Sequence, residues 1–295
     1  MTVLNPALPH PAFTPMDLRQ ILVLLGSDSQ CSVRVQVAAR LAAAHGCALE
    51  GLAPTGRAVL PSSLGSAAWA IEAAQAARTE ALSLAEDQVA AFQKLARARG
   101  VAEPVAITSE GDISAVLLHR AACSDLVVIS QPAPDSPTLR ADMQFVERIL
   151  THNPKPTLVV PGQGLAEHVG RDVLVGWDDS PAAIRAVTDA LPLLRRAHAV
   201  TVCVWHSGSA EAAEGLTARL ADVCGWLSQH GVAARPRLQA GGRHIGEAML
   251  QTAGALGADL IVMGTYGHSR WIERIAGGVT RTALWRSPIP LLMSH

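Results

Sequence analysis

The chain has 295 residues, a formal net charge of −1, and 49% hydrophobic residues against only 3% aromatic ones. That length fits about two domains with aliphatic cores. The balanced charge shows no basic stripe, which argues against long nucleic acid as a partner. Charged residues interrupt every apolar run well short of the ~20 residues a membrane helix needs.

Met1 to Pro15 carries four prolines and neither Lys nor Arg. It lacks a signal-peptide pattern and reads as a loose arm over 1–17. A first strand at Leu22-Val23-Leu24 leads to Ser29 and then Arg34. An Ala-rich helix follows from about Ala67 to Arg99, and Asp125-Leu126-Val127-Val128-Ile129 reads as a buried strand. Pro154 and Pro156 precede the apolar run Thr157-Leu158-Val159-Val160, and Pro161 to Gly170, with three glycines, reads as a linker.

The pattern then starts again. Val173-Leu174-Val175 is a strand, Ser180 an N-cap and Pro181 the first helical residue. Ile184, Val187, Leu191 and Leu194 share an apolar helical face. Val200–Val204 is the next strand, and Glu211–His230 suits a helix despite Gly215 and Gly225. Ala234–Gln239 contains Pro236, which places it at a sheet edge. Ile245, Ala248, Met249, Thr252 and Leu256 mark another helix before the strand Asp259–Met263 and the last strand Leu291–Met293. From Asp125 to Pro154 is 29 residues, and from Asp259 to Pro288 is 29 again, without a gap. The chain is therefore a duplication: residues 18–161, a linker at 162–170, and residues 171–295. Strands alternating with helices predict an α/β fold in which each copy is a five-stranded parallel sheet, doubly wound with helices on both faces.

Ligands of such sheets bind outside the carboxyl ends of the strands, where strand order reverses. The second copy has Gly264-Thr265-Tyr266-Gly267 at a strand end and Gly277-Gly278 shortly after. Glycines there allow sharp turns and close approach to backbone N–H groups, which make an anion site. Asp178, at the end of the first strand of this copy, borders the same crevice if the two strands are neighbours.

These residues resemble the universal stress protein family in its tandem form. The family pattern is Gly-x2-Gly-x9-Gly-Ser/Thr after a strand; Gly264, Gly267 and Gly277 match, Thr265 fits, and Val279-Thr280 continue it. Gly278 departs, standing where the family has Ser or Thr. The resemblance implies an adenine-nucleotide alpha hydrolase-like fold, and a C-terminal copy that binds ATP or a related adenine nucleotide, with or without Mg2+. The implied binding residues are Asp178, Gly264, Thr265, Gly267, His268, Arg270, Gly277, Gly278, Val279 and Thr280. In the first copy Ser130, Ala133, Met143 and Gln144 occupy the motif positions, Ser27 stands in place of Asp178, and two prolines interrupt the loop. That copy is expected to be a structural partner rather than a triphosphate site.

Bland readings stand beside these. The glycines can be inherited turn geometry, and Asp178 a helix cap. Arg270 can touch phosphate or cover the site, while Trp271, Ile272 and Ile275 fold the loop back. Thr280 can cap a helix or touch phosphate. Trp205-His206 can line a base pocket. His244 is read as solvent-facing, and Asp112 and Asp259 as caps and strand-edge residues. Five cysteines without CxxC fit a reducing cytosol, and eleven histidines without ligand spacing point to no metal site.

The leading expectation is thus a cytoplasmic, nucleotide-binding stress-response protein, with slow ATP hydrolysis at most because no general base is evident. A stress-related assembly module that has lost nucleotide binding is the alternative, and an adenylating enzyme ranks third. Leu158–Val160 and Leu291–Met293 are expected to pair within the chain as a pseudo-dimer, which leaves a further homodimer open.

Overall fold

The computed structural model describes residues 17–56, 68–162, 168–206, 210–241, 244–265 and 278–295. The first half runs β1 (Gln20–Leu24), α1 (Cys31–His45), β2 (Ala48–Gly56), α2 (Ala68–Ala98), β3 (Val105–Glu110), α3 (Ile113–Ala121), β4 (Leu126–Ser130), α4 (Leu139–His152) and β5 (Thr157–Val160). The second half repeats that order as β6 (Asp172–Gly176), α5 (Pro181–Leu194), β7 (Ala199–His206), α6 (Ala210–Gln229), β8 (Ala234–Ala240), α7 (Ile245–Leu256), β9 (Leu260–Gly264), α8 (Gly278–Arg286) and β10 (Leu291–Ser294).

The strands form one ten-stranded sheet in the order β3-β2-β1-β4-β5-β10-β9-β6-β7-β8. Pairing is parallel within each half and antiparallel only at the seam, where Leu158 faces Leu292. The two apolar closing strands thus cover each other's open edge, which an isolated half would expose. Side chains reinforce the seam: Gln131 Nε2 donates to the Leu284 carbonyl at 2.6 Å, and Arg185 donates to the Pro154 carbonyl at 2.9 Å.

Helices cover both faces. One buried cluster joins α1, α2, α5 and α6 to the sheet, and a second joins α3, α4, α7 and α8. The central strands β1, β4, β6 and β9 are buried on both faces, which explains their unbroken apolar runs. β8, with Pro236, lies at the sheet edge as its sequence predicts.

Local signals match local structure at the caps. Ser180 Oγ accepts the Ala183 amide at 3.1 Å, with Pro181 at the first helical position. Asp112 accepts the Ala115 amide and caps α3. Asp259 is buried and accepts the amides of Gly170, Arg171 and Asp172, so it ties the start of β9 to the start of β6. Asp125 does the same for β4 and β1 through the amides of Arg19 and Gln20. The expected apolar face of α5 needs one correction. Ile184 is 50% exposed, and the buried stripe runs through Ala183, Ala186, Val187, Ala190, Leu191 and Leu194.

Candidate nucleotide crevice

β6 and β9 are hydrogen-bonded neighbours, with Val175 opposite Val262. Strand order reverses between them, since β6 continues outward to β7 and β9 to β10. Their carboxyl ends therefore border one crevice, an adjacency the sequence alone did not establish.

Gly264 ends β9. A Cβ there would lie 2.5 Å from the Ala183 amide nitrogen and 2.6 Å from the Ala182 carbonyl carbon. The close approach this glycine permits is thus to the first turn of α5. Thr265 is fully buried, and both its amide (2.8 Å) and its hydroxyl (3.1 Å) donate to the Ser294 carbonyl. Both donors of Thr265, one of the nucleotide-binding residues the resemblance implies, thus tie β9 to β10. Gly278, Val279 and Thr280 open α8, where backbone N–H groups have no partner within the helix. Thr280 is the third residue of α8 and is buried, so it is not the cap. Gly267, His268, Arg270 and Gly277 lie outside the described residues, as do Ser269, Trp271, Ile272 and Ile275.

On the β6 side, Asp178 is exposed and accepts the Ser180 amide at 3.1 Å. Asp179 is the only non-glycine residue with positive φ among the described residues, at 59°. Aspartate tolerates this left-handed conformation better than most residues. Here two partners hold it: Trp177 Nε1 donates to Oδ1 and Arg219 of α6 bonds Oδ2, both at 2.8 Å. Sequence reasoning missed this clamp; the only signal for it was the Asp178-Asp179 pair.

Trp205 and His206 end β7, beside β6. The Trp205 ring lies 3.8 Å from where a Cβ on Gly176 would sit. Trp205 Nε1 and His206 Nδ1 are buried without a hydrogen-bond partner among the described residues. Buried polar atoms left this way cost about 1–3 kcal/mol each, so such atoms beside a crevice are candidates for ligand contact. His244 is exposed before α7, as expected.

The matching crevice of the first half is filled. Arg34, 2% exposed, donates to both Asp28 oxygens at 2.7 Å, to Ser130 Oγ at 3.0 Å and to the Leu24 carbonyl. Leu24 and Ser130 end the neighbouring strands β1 and β4. Burial pushes the Asp28 carboxyl up, but the hydrogen bond and charge of Arg34, with the Gln30 amide, outweigh it and hold it below the usual carboxylate range. Met143 and Gln144, at the positions of Gly277 and Gly278, lie inside α4, and Met143 packs into the core. Their amides face the preceding helical turn rather than an open loop.

Residues 170–295 match the universal stress protein family. The match is to the model of that family and covers the second half alone. No curated protein matches the chain. Among solved structures, a universal stress protein from Archaeoglobus fulgidus DSM 4304 is similar over 95% of this chain and 97% of its own, with a TM-score of 0.72 and 15% identity. A protein of unknown function from Pseudomonas aeruginosa PAO1 covers 94% of this chain and 92% of its own, with a TM-score of 0.59 and 16% identity. At such identities the likeness shows a shared fold. Both cover nearly the whole chain, so the duplicated architecture is common to all three. Among the described residues no helix is long and apolar enough to cross a membrane, and no group of three or more His, Cys, Asp or Glu is placed to hold a metal ion.

Proposed function

We propose that this chain is a tandem universal stress protein of the cytosol whose second half binds ATP or a related adenine nucleotide, with the first half as its pseudo-dimer partner. The observation that carries this reading is the β6–β9 pairing, which brings the Asp178 turn to the end of the strand that leads into the glycine loop. The N-terminus of α8 would supply amides for phosphate, and an added atom on Gly278 meets nothing within 4 Å among the described residues. Asp178 would accept from ribose hydroxyls. Trp205 Nε1 and His206 Nδ1 would meet polar atoms of the base or ribose. The five cysteines are free thiols, as suits a reducing compartment. Among the described residues none is assigned as a general base, and the activity proposed here is binding.

Thermal denaturation of the full chain with ATP, with and without Mg2+, tests this. A ligand that binds only the folded state raises the melting temperature once it exceeds its Kd. A rise that Asp178→Ala diminishes supports the site. The internal bonding of Thr265 and the packing of Gly264 onto α5 favour a second reading, an assembly module that no longer binds nucleotide. No rise at millimolar ATP selects that reading.

A further inference from the structure

A cavity of about 530 Å³ lies between the two halves, at the opposite end of β6 from Asp178. The extended rise of a strand puts these two places on the order of 20 Å apart. Its walls come from the second half of α1, the end of α2, the entry to β6 and the end of α5. They carry Arg40, His45, Arg99, His168, Arg171 and Arg196, and no carboxylate among the described lining residues. In a chain of net charge −1, four guanidinium groups around one space form a strongly biased field.

Helix ends do not account for this gathering. Basic residues often answer the exposed carbonyls of helix C-termini, but here the backbone already caps them. Cys47 N bonds the Ala42 carbonyl, Arg195 N the Leu191 carbonyl, Arg196 N the Leu193 carbonyl and Ala197 N the Leu194 carbonyl. The guanidinium of Arg196 has no hydrogen bond or ion pair among the described residues, Arg99 bonds only the neutral Gln36 amide, and Arg171 meets Asp172 only at 3.9 Å. The acids nearby are engaged elsewhere or stand at the margin: Asp259 accepts the amides of Gly170, Arg171 and Asp172, Asp125 those of Arg19 and Gln20, Asp172 also binds His198, and Asp17 lies near His45.

We propose that this cavity binds a small anion carrying clustered phosphate groups, gripped between the halves by Arg40, Arg99, Arg171 and Arg196. Four permanent charges match a polyphosphate better than a singly charged ion. The planar guanidinium offers paired donors to phosphate oxygens. The volume lies within the range of small-molecule sites. Because its walls belong to both halves, an occupant would also brace the seam between them.

Isothermal titration of the full chain with inorganic tripolyphosphate tests the proposal, with orthophosphate and citrate as comparison arms. Tripolyphosphate is expected to bind saturably and to weaken as salt rises. Losing two charge-assisted contacts in R99Q/R196Q is expected to weaken it by about a hundredfold, and R196Q alone by about tenfold. Both arginines are exposed, and unliganded melting temperatures of the variants check the fold. G278E, which places a carboxylate at the start of α8, removes any uptake by the nucleotide crevice, so the saturable binding expected to persist in it reports the cavity. Three results overturn the proposal: no uptake at millimolar tripolyphosphate, uptake lost in G278E but kept in R99Q/R196Q, or citrate binding as tightly as tripolyphosphate.

Discussion

Arg34 and Asp28 form a two-bond pair, both contacts at 2.7 Å, in which the arginine side chain is 3% exposed and the aspartate side chain 49%. The pair occupies the place in the first half that the proposed nucleotide would take in the second. Buried charge is tolerated there only because carboxylate, hydroxyl and carbonyl groups surround it.

Breaking the pair from one side strands that charge. Asp28→Asn is expected to cost roughly 2–3 kcal/mol, below the range for fully buried pairs because water reaches Asp28. The double variant D28N/R34M is expected to recover most of the loss. Equilibrium urea unfolding of both variants measures this. The pH dependence has a definite sign. Asp28 titrates lower in the folded state than in the unfolded one, so its contribution is full above the ordinary aspartate pKa of about 3.9 and is lost as pH falls through the folded value. Asp28→Asn is expected to flatten the stability curve in that acid window relative to the parent.

Gly264 separates packing from binding. Its missing side chain leaves room for the backbone of Ala182 and Ala183. Gly264→Ala is expected to cost roughly 1–3 kcal/mol by overpacking. That lowers the melting temperature by about 2–5 °C even without nucleotide. Scanning calorimetry of the unliganded variant measures it; an unchanged transition would show that the strand and helix have room to part.

Gly278→Ser restores the residue type expected at this position. Among the described residues nothing lies within 4 Å of the added Cβ. A hydroxyl bonded to phosphate contributes roughly 1.5–3 kcal/mol, so ATP affinity is expected to rise about tenfold or more. Titration calorimetry with ATP on both proteins checks this, and unchanged affinity would place the phosphates elsewhere.

His45 reports on the basic cavity. Burial, and then the charge of Arg196, push its pKa down to about 4, with Asp17 opposing. It therefore stays neutral in the folded protein near pH 6, where the unfolded chain is protonated. The associated stability is full above about 6.5 and lost as pH falls toward the folded value. His45→Gln is expected to remove that slope from urea unfolding followed between pH 7 and 5. A polyanion in the cavity would favour the protonated ring.

The repeated Asp125 and Asp259 runs, the paired prolines and the Ser180-Pro181 cap were enough to read a repeated series of βα units, and Pro236 the edge position of β8. Those features are local: periodicity, capping and proline geometry act within a few residues. That Leu158–Val160 and Leu291–Met293 pair within the chain was also legible, because short apolar closing strands need cover, whereas the register that sets Leu158 opposite Leu292 was not. The tertiary structure alone decided that β6 and β9 are neighbours and that Thr265 turns its donors to Ser294. It alone also placed Arg34 in the first crevice and gathered four arginines from distant segments around one cavity. Contacts of this kind join residues far apart in the chain, and no local pattern encodes where a long side chain comes to rest once the helices have packed.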